Sequence, residues 1–292
     1  MISSVRNYLS LVKFSHTIFA MPFAMIGFSL GLISIELRNN SYEIASRLFL
    51  VVLCMVLARS AAMAFNRYLD RSFDARNPRT AIREIPAGIV SANSALWFSI
   101  ACSILFILCT WFINRICFYL SPVALFVILF YSYTKRFTVL CHLVLGLGLS
   151  LAPIGAYLAV TGKFHLLPVL FSLTVLFWVS GFDIIYALQD EEFDQSQNLY
   201  SIPAALGKAR ALRISEILHL CAALAVIAAG SYGGFHLWYW TGVLIFTGML
   251  IYQHSVVKPN DLRRVNLAFM TANGIASVVF SIFVMLDLFI YR

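Results

Sequence analysis

Charge is scarce in this 292-residue chain: 12% of the residues are charged, and only 13 are Asp or Glu. The mean hydropathy of +0.86 and the 61% share of hydrophobic residues exclude a soluble domain. The chain also lacks the alternation of apolar and polar residues that marks the strands of a membrane β-barrel. Its apolar runs instead extend for about 20 residues, the length of a helix that crosses a bilayer. The composition therefore predicts an all-α polytopic membrane protein.

Nine apolar runs predict nine transmembrane helices. They cover 15–35, 44–65, 93–113, 116–134, 139–161, 166–188, 210–230, 235–255 and 266–290. No linker is long or polar enough to divide them, so residues 1–292 are interpreted as one domain. The six cysteines show no CxxC spacing, which favours inert packing thiols over a metal site.

Positive charge is distributed unevenly around the nine predicted helices. Of the 21 Lys and Arg, 15 fall on the side of the N-terminus and 5 on the opposite side, while Arg59 lies inside the second helix. Basic residues collect on the cytoplasmic side of membrane proteins. The bias therefore predicts a protein of the cytoplasmic (inner) membrane whose N-terminus and acidic motifs face the cytoplasm.

The few acidic residues are concentrated in two windows, which hold 8 of the 13. One window contains Asp70 and Asp74, and the other contains Asp183, Asp190 and Asp194. Residues four apart share a face of a helix, so each pair predicts a polar stripe at the end of an apolar helix. Either pair alone is equally well explained as solvated interfacial charge. Both pairs at matching positions favour one functional site.

Four aspartates brought together would repel one another strongly in a medium of low dielectric constant. Two divalent cations would neutralise them, and carboxylate oxygens completed by substrate phosphates suit Mg²⁺. Basic residues lie near the acidic ones and would bind an anionic substrate; the candidates are Arg67, Arg71, Arg79, Arg83 and Lys135. The pattern predicts a diphosphate bridged by metal ions.

Two hydrophilic stretches, 66–92 and 189–213, begin at corresponding positions four helices apart, and both contain turn-forming Pro and Gly. Their placement indicates two related halves that face each other across a central cavity, as internal repeats do in other membrane proteins. Each stretch is predicted to form a cytoplasmic loop that caps this cavity.

The motifs Asn66-xxx-Asp70-xxx-Asp74 and Tyr186-xxx-Asp190-xxx-Asp194 resemble the paired signatures of the UbiA superfamily of intramembrane aromatic prenyltransferases. The segments RTAIREIPAG at 79–88 and YSYTKR at 131–136 also resemble stretches of that family. The resemblance extends over essentially the whole chain. Segment GFDIIYALQD at 181–190 looks closest to the 4-hydroxybenzoate polyprenyltransferase branch, which includes relatives assigned to the futalosine route to menaquinone.

The resemblance implies Mg²⁺-dependent transfer of a polyprenyl group from its diphosphate to an aromatic quinone precursor, in ubiquinone or menaquinone biosynthesis. The implied metal ligands are Asp70, Asp74, Asp190 and Asp194. The implied diphosphate-binding residues are Asn66, Arg79, Arg83 and Lys135. Among the catalytic residues, which include Asp190, Tyr186 would face an allylic cation or position the acceptor. Asp183 would orient the acceptor hydroxyl or accept its proton. The expected partners are these two substrates and membrane lipid, with no protein or nucleic acid.

The sequence alone also allows other acceptors and one function of a different class. The acceptor could be 1,4-dihydroxy-6-naphthoate, or, further away in the superfamily, haem, chlorophyllide or a glycerol phosphate. A cation-coupled transporter is the alternative of a different class, with the aspartates lining an ion path. Such a transporter needs access from both membrane faces, and the acidic residues cluster at one.

Overall fold

The protein is described here by a computed structural model that covers residues 2–12, 19–35 and 41–291. Within these ranges the chain forms twelve α-helices: α1 Ile2–Leu11, α2 Met21–Ser34, α3 Ser41–Arg76, α4 Ala92–Ile113, α5 Arg115–Thr134, α6 Cys141–Thr161, α7 Leu166–Ala187, α8 Glu191–Ser196, α9 Ile202–Leu206, α10 Lys208–Gly233, α11 Leu237–Val256 and α12 Asn273–Tyr291. A 3₁₀ turn, Leu188–Asp190, follows α7, and a π-helix, Leu267–Ala272, leads into α12.

Seven helical segments of the described chain are long and apolar enough to cross a bilayer. They are α3, α4, α5, α6, α7 with its continuation to Ser196, α10, and the stretch Leu267–Tyr291. The prediction of an all-α polytopic membrane protein is confirmed. Helix α2 is apolar but has 14 residues, and α11 is not among the seven, so the count of nine spans stays a prediction. The first predicted span, 15–35, lies partly outside the described residues.

An aromatic core surrounds α7, the helix that precedes the second acidic motif. Trp178 and Phe171 of α7 are completely buried with Phe23 of α2, Phe246 of α11 and Phe280 of α12. The Trp178 ring centroid lies 5.4 Å from that of Phe23 and 5.9 Å from that of Phe246, within the range of favourable aromatic pairs. The core therefore holds α7 on several sides.

Helix α6 packs closely between α2 and α7 because glycines occupy both crossings. A Cβ added at Gly27 of α2 would lie 2.0 Å from the carbonyl oxygen of Pro153 in α6. A Cβ added at Gly146 of α6 would lie 2.5 Å from the carbonyl oxygen of Leu176 in α7. Small residues permit such close helix packing in membranes. These contacts fix the position of α6 relative to α7.

The π-helix is stabilised by a buried asparagine. Asn273 Nδ2 donates hydrogen bonds to the carbonyl oxygens of Ala268 and Phe269, at 3.2 and 3.0 Å. Its Oδ1 accepts hydrogen bonds of 2.8 Å from Trp178 Nε1 and from Gln253 Nε2. This network satisfies carbonyl groups that have no water to bond with in a bilayer. It also joins α7, α11 and α12.

Helix α11 begins at a carboxylate supplied by α12. Asp287 is 1% exposed, and its oxygens accept hydrogen bonds from the backbone N–H groups of His236, at 3.1 Å, and Tyr239, at 3.0 Å. Helix N-termini leave such N–H groups without partners inside the helix, and a negative charge there is favourable. Asp287 thus replaces the side-chain cap that α11 lacks within its own sequence.

Candidate active site

Asp70 is held between α3 and the end of α5 by two basic side chains. It is 2% exposed, and Lys135 Nζ lies 2.7 Å from its Oδ2. Arg136 Nη2 donates to its Oδ1 at 3.0 Å, and Asn66 Nδ2 donates to its Oδ2 at 3.1 Å. A buried carboxylate is costly unless it is paired and hydrogen-bonded, and Asp70 is both.

Asp74 lies one turn further along α3 and is paired with the loop that follows. Arg83 Nη1 donates to Asp74 Oδ1 at 2.7 Å, and Thr80 Oγ1 donates to the Asp74 carbonyl oxygen at 3.1 Å. The second carboxylate oxygen, Oδ2, is buried and has no hydrogen-bond partner in the described part of the chain. Helix α3 continues without interruption from Ser41 to Arg76, so Asp70 and Asp74 share a face as their spacing predicts.

Asp190 of the second motif is bound by residues that follow the first motif. Arg79 Nε donates to Asp190 Oδ1 at 2.9 Å, and Arg79 Nη2 donates to Oδ2, which makes a bidentate pair. Asn77 Nδ2 donates to Oδ1 at 3.1 Å. Burial opposes the charge of Arg79, but its hydrogen bonds with Asp190 raise the pKa of the guanidinium above its ordinary value. Arg79 therefore stays protonated at every physiological pH.

Tyr186 belongs to the same group through Arg79. Arg79 Nη1 donates to the Tyr186 hydroxyl at 2.9 Å, and the guanidinium carbon lies 5.2 Å from the ring centroid. The Phe269 ring of the π-helix lies against Tyr186, with the centroids 4.3 Å apart. Tyr186 thus has its orientation fixed by a charged group and by an aromatic ring.

Asp194 lies beyond an interruption of the second motif. The spacing predicts that Tyr186, Asp190 and Asp194 form one polar stripe on a helix, but α7 ends at Ala187 and a 3₁₀ turn precedes α8, which interrupts the stripe. This part of the prediction is wrong; 3₁₀ turns are common at helix ends, and Asp190 here bonds to the opposite loop. Asp194 Oδ2 accepts a hydrogen bond of 2.9 Å from Ser201 Oγ, and Lys135 lies within electrostatic range of Asp194.

Asp183 lies deeper in α7 and pairs with a histidine. His142 Nδ1 is 2.7 Å from Asp183 Oδ2. The histidine is 3% exposed, whereas the Asp183 side chain keeps 24% of its surface exposed. Asp183 and Tyr186 are three residues apart in α7, so they lie on neighbouring positions of one face of that helix. Asp183, which is predicted to bind the aromatic acceptor, therefore lies about one helical turn from Tyr186, whose hydroxyl contacts the predicted diphosphate-binding residue Arg79.

The contacts join the two motif regions at two places. Arg79 follows the first motif and binds the second, while Lys135 pairs with Asp70 and lies within electrostatic range of Asp194. Sequence reasoning missed other contacting residues: Arg136, Asn77, Ser201 and His142. Arg136 carried a signal, because it adjoins Lys135 in a basic pair. Asn77, Ser201 and His142 carry no such signal, because isolated polar residues of these kinds occur throughout the chain.

The donor set fits hard divalent cations. The carboxylates offer oxygen ligands, and the buried, unpartnered Asp74 Oδ2 is a vacant acceptor of the kind that a cation satisfies. Within the described ranges, no three acidic, histidine or cysteine side chains converge closely enough to bind one ion. Each ion would therefore take one or two carboxylates from the chain and complete its shell with water and substrate phosphate, as Mg²⁺ commonly does.

The fold and the site define a class of protein: a polytopic helical membrane protein that pairs carboxylates and basic side chains from two parts of its chain. Residues 20–275 match the UbiA prenyltransferase family, and the chain belongs to that family. The predicted membership of the UbiA family is confirmed.

Known relatives agree with this assignment. The chain is 31% identical over 238 residues to the 4-hydroxybenzoate octaprenyltransferase of Nitrosomonas europaea, with 80% of each chain covered. It is similar to the apo structure of a UbiA homolog from Aeropyrum pernix K1, at a TM-score of 0.78, 29% identity and coverage of 94% and 98%. A UbiA homolog from Archaeoglobus fulgidus, solved bound to DMAPP and Mg²⁺, has the same fold, at a TM-score of 0.73, 20% identity and coverage of 97% and 99%.

Proposed function

We propose that this protein transfers a polyprenyl group from a polyprenyl diphosphate to an aromatic quinone precursor of the 4-hydroxybenzoate type. The observation that carries the proposal is the meeting of the two motifs through Arg79 and Asp190, which gathers acidic and basic groups around one point. The name of the Nitrosomonas europaea relative supports the aromatic acceptor.

The basic residues of the site would bind the diphosphate. Arg79, whose fork binds Asp190 in this structure, would place its positive charge beside the diphosphate, and Lys135, which pairs with Asp70, would add a compact charge. Arg83 would add a third cation, and Asn66 a neutral donor. Two Mg²⁺ ions held by Asp70, Asp74, Asp190 and Asp194 would supply positive charge against the leaving diphosphate. These contacts favour departure of the diphosphate from the allylic carbon.

The residues of α7 would handle the acceptor. Tyr186 presents an aromatic face, which stabilises nearby positive charge of the kind that develops on the allylic carbon. Asp183 lies on the same face of the helix and would hold the acceptor hydroxyl, orienting the ring for attack at the ortho carbon. The two loops, 77–91 and 188–207, would exclude water, which would otherwise capture the cation.

We also propose that the site faces the cytoplasm in the inner membrane. Support comes from the excess of Lys and Arg on the side of the acidic motifs. An alkaline phosphatase fusion in the 77–91 loop should be inactive, and a fusion in the α6–α7 loop should be active. The reverse pattern would contradict this orientation.

The reaction is tested with purified protein in proteoliposomes containing Mg²⁺ and geranyl diphosphate as a short donor. The acceptors are 4-hydroxybenzoate, 1,4-dihydroxy-6-naphthoate and a glycerol phosphate, and mass spectrometry identifies the products. We expect a C-prenylated 4-hydroxybenzoate. A product from the naphthoate alone would keep the chemistry and change the acceptor.

Matched variants separate the mechanism from general damage. Folded Asp70→Ala and Asp190→Ala variants should lose at least about 100-fold in kcat, whereas Asp261→Ala, which removes an exposed carboxylate paired with neighbouring Arg263, should keep the activity. Full activity of either site variant would overturn the assigned roles. Accumulation of a solute without any prenylated product would favour a transporter instead.

A further inference from the structure

We infer that His142 is a positioning residue that fixes the Asp183 carboxylate for the aromatic acceptor; the inference rests on the proposed function and deepens it. His142 lies at the start of α6, and its Nδ1 is 2.7 Å from Asp183 Oδ2 in α7. The imidazole is 3% exposed, so solvent does not compete for this contact. One oxygen of Asp183 is thereby occupied, and the partly exposed carboxylate keeps its other oxygen for a ligand.

The backbone around His142 determines which nitrogen carries the proton. The N–H of Ile202 donates to His142 Nε2, at 3.4 Å. A backbone amide can only donate, so Nε2 acts as an acceptor and carries no proton. The proton of the imidazole is therefore on Nδ1, where it is donated to Asp183. This hydrogen bond holds the Asp183 carboxylate in one orientation.

The segment Tyr200–Ile202 connects His142 to the diphosphate side of the site. Each of its three residues donates one hydrogen bond. The Tyr200 N–H donates to the Lys135 carbonyl oxygen at 2.7 Å, Ser201 Oγ donates to Asp194, and the Ile202 N–H donates to His142. His142 is therefore held between Asp183 and the segment Tyr200–Ile202, which also binds Asp194, a predicted metal ligand. Its position is further fixed because α6 packs closely on α7 at Gly146.

The role predicts a selective effect on the acceptor. Loss of the imidazole would leave Asp183 free to rotate, since α7 offers its carboxylate no other hydrogen-bond donor among the described residues. A hydrogen bond to a charged group contributes enough free energy that losing the bond between His142 and Asp183 should raise KM for the acceptor about 10- to 100-fold. KM for the prenyl diphosphate should stay within about threefold, because His142 touches none of the diphosphate-binding side chains.

The experiment measures both Michaelis constants for His142→Leu in the full chain, with geranyl diphosphate and 4-hydroxybenzoate or 1,4-dihydroxy-6-naphthoate, whichever the wild type prenylates. His219→Leu is the matched control: His219 is also 3% exposed and hydrogen-bonded, but its partners are His254 and the Trp178 carbonyl. The control should lose thermal stability in detergent without a selective rise of the acceptor KM.

Two conservative variants keep the test decisive if His142→Leu does not fold. Asn places an N–H near the position of Nδ1, whereas Gln places one near Nε2, so His142→Asn should retain acceptor binding better than His142→Gln. Equal effects of the two variants, or an equal rise of both Michaelis constants in His142→Leu, would overturn the positioning role. A wild type that prenylates no acceptor would instead overturn the proposed function itself.

Discussion

Replacement of Arg79 by lysine should separate the geometry of the site from its charge. Arg79 donates to both oxygens of Asp190 and to the Tyr186 hydroxyl, three hydrogen bonds in a planar arrangement. Lysine keeps the positive charge, but its single ammonium group cannot reproduce the fork. At least one hydrogen bond to a charged group is lost, which corresponds to about 1.5–3 kcal/mol. This free energy is equivalent to about a 10- to 150-fold decrease in kcat/KM for the prenyl diphosphate.

The assay is steady-state product formation with varied geranyl diphosphate at saturating acceptor. Arg76→Lys is the matched control, because Arg76 is an exposed residue at the end of α3 that donates to the Ser72 carbonyl oxygen of its own helix, at 3.0 Å. The control should change kcat/KM by about twofold or less. An Arg79→Lys enzyme within about threefold of the wild type would refute the argument that the bidentate geometry matters.

Three further outcomes are expected. Asp287→Ala should lower the free energy of unfolding by about 2–4 kcal/mol, because the N–H groups of His236 and of buried Tyr239 at the start of α11 lose their acceptor. Chemical unfolding in mixed micelles measures this loss, and a loss no larger than that of Asp261→Ala would contradict the prediction. Chelation with EDTA should abolish prenyl transfer and added Mg²⁺ should restore it, whereas activity that persists after dialysis against the chelator would rule out the metal role. Ser201→Ala should decrease kcat about 10-fold, because the Asp194 carboxylate loses the hydrogen bond that orients it; an unchanged kcat would count against Asp194 as a ligand.

The helical class of the protein was accessible from the sequence because it depends on local chemistry. A run of about 20 apolar residues can satisfy its backbone in a bilayer only by forming a helix or closing into a barrel, and the runs here lack the alternation of barrel strands. The shared face of Asp70 and Asp74 was accessible for the same reason: four residues make about one turn of an α-helix, and α3 is regular through both positions.

The pairing of the charged residues was not accessible in this way. Arg79 lies 5 positions from Asp74 in the chain, yet it binds Asp190, which is 111 positions away. Asp74 is paired with Arg83 instead. Periodicity states which residues share one helix face, but it contains no information on which side chain of a distant helix or loop reaches that face.

The second motif shows the limit of spacing arguments. Its four-residue intervals are the same as those of the first, but the chain leaves the α-helix at Ala187, and Asp190 turns toward the opposite loop. The role of His142 was hidden for a related reason. Its sequence neighbours are apolar, and only the packing of α6 on α7 places it beside Asp183.

The sequence by itself therefore determined the all-helical membrane class and the family, because these depend on composition and on short, regular motifs. The tertiary structure decided which base binds which acid, where the second motif bends and which histidine supports the acceptor residue. Those features arise from contacts between segments far apart in the chain, and their free energy depends on burial and orientation that only the packed helices provide.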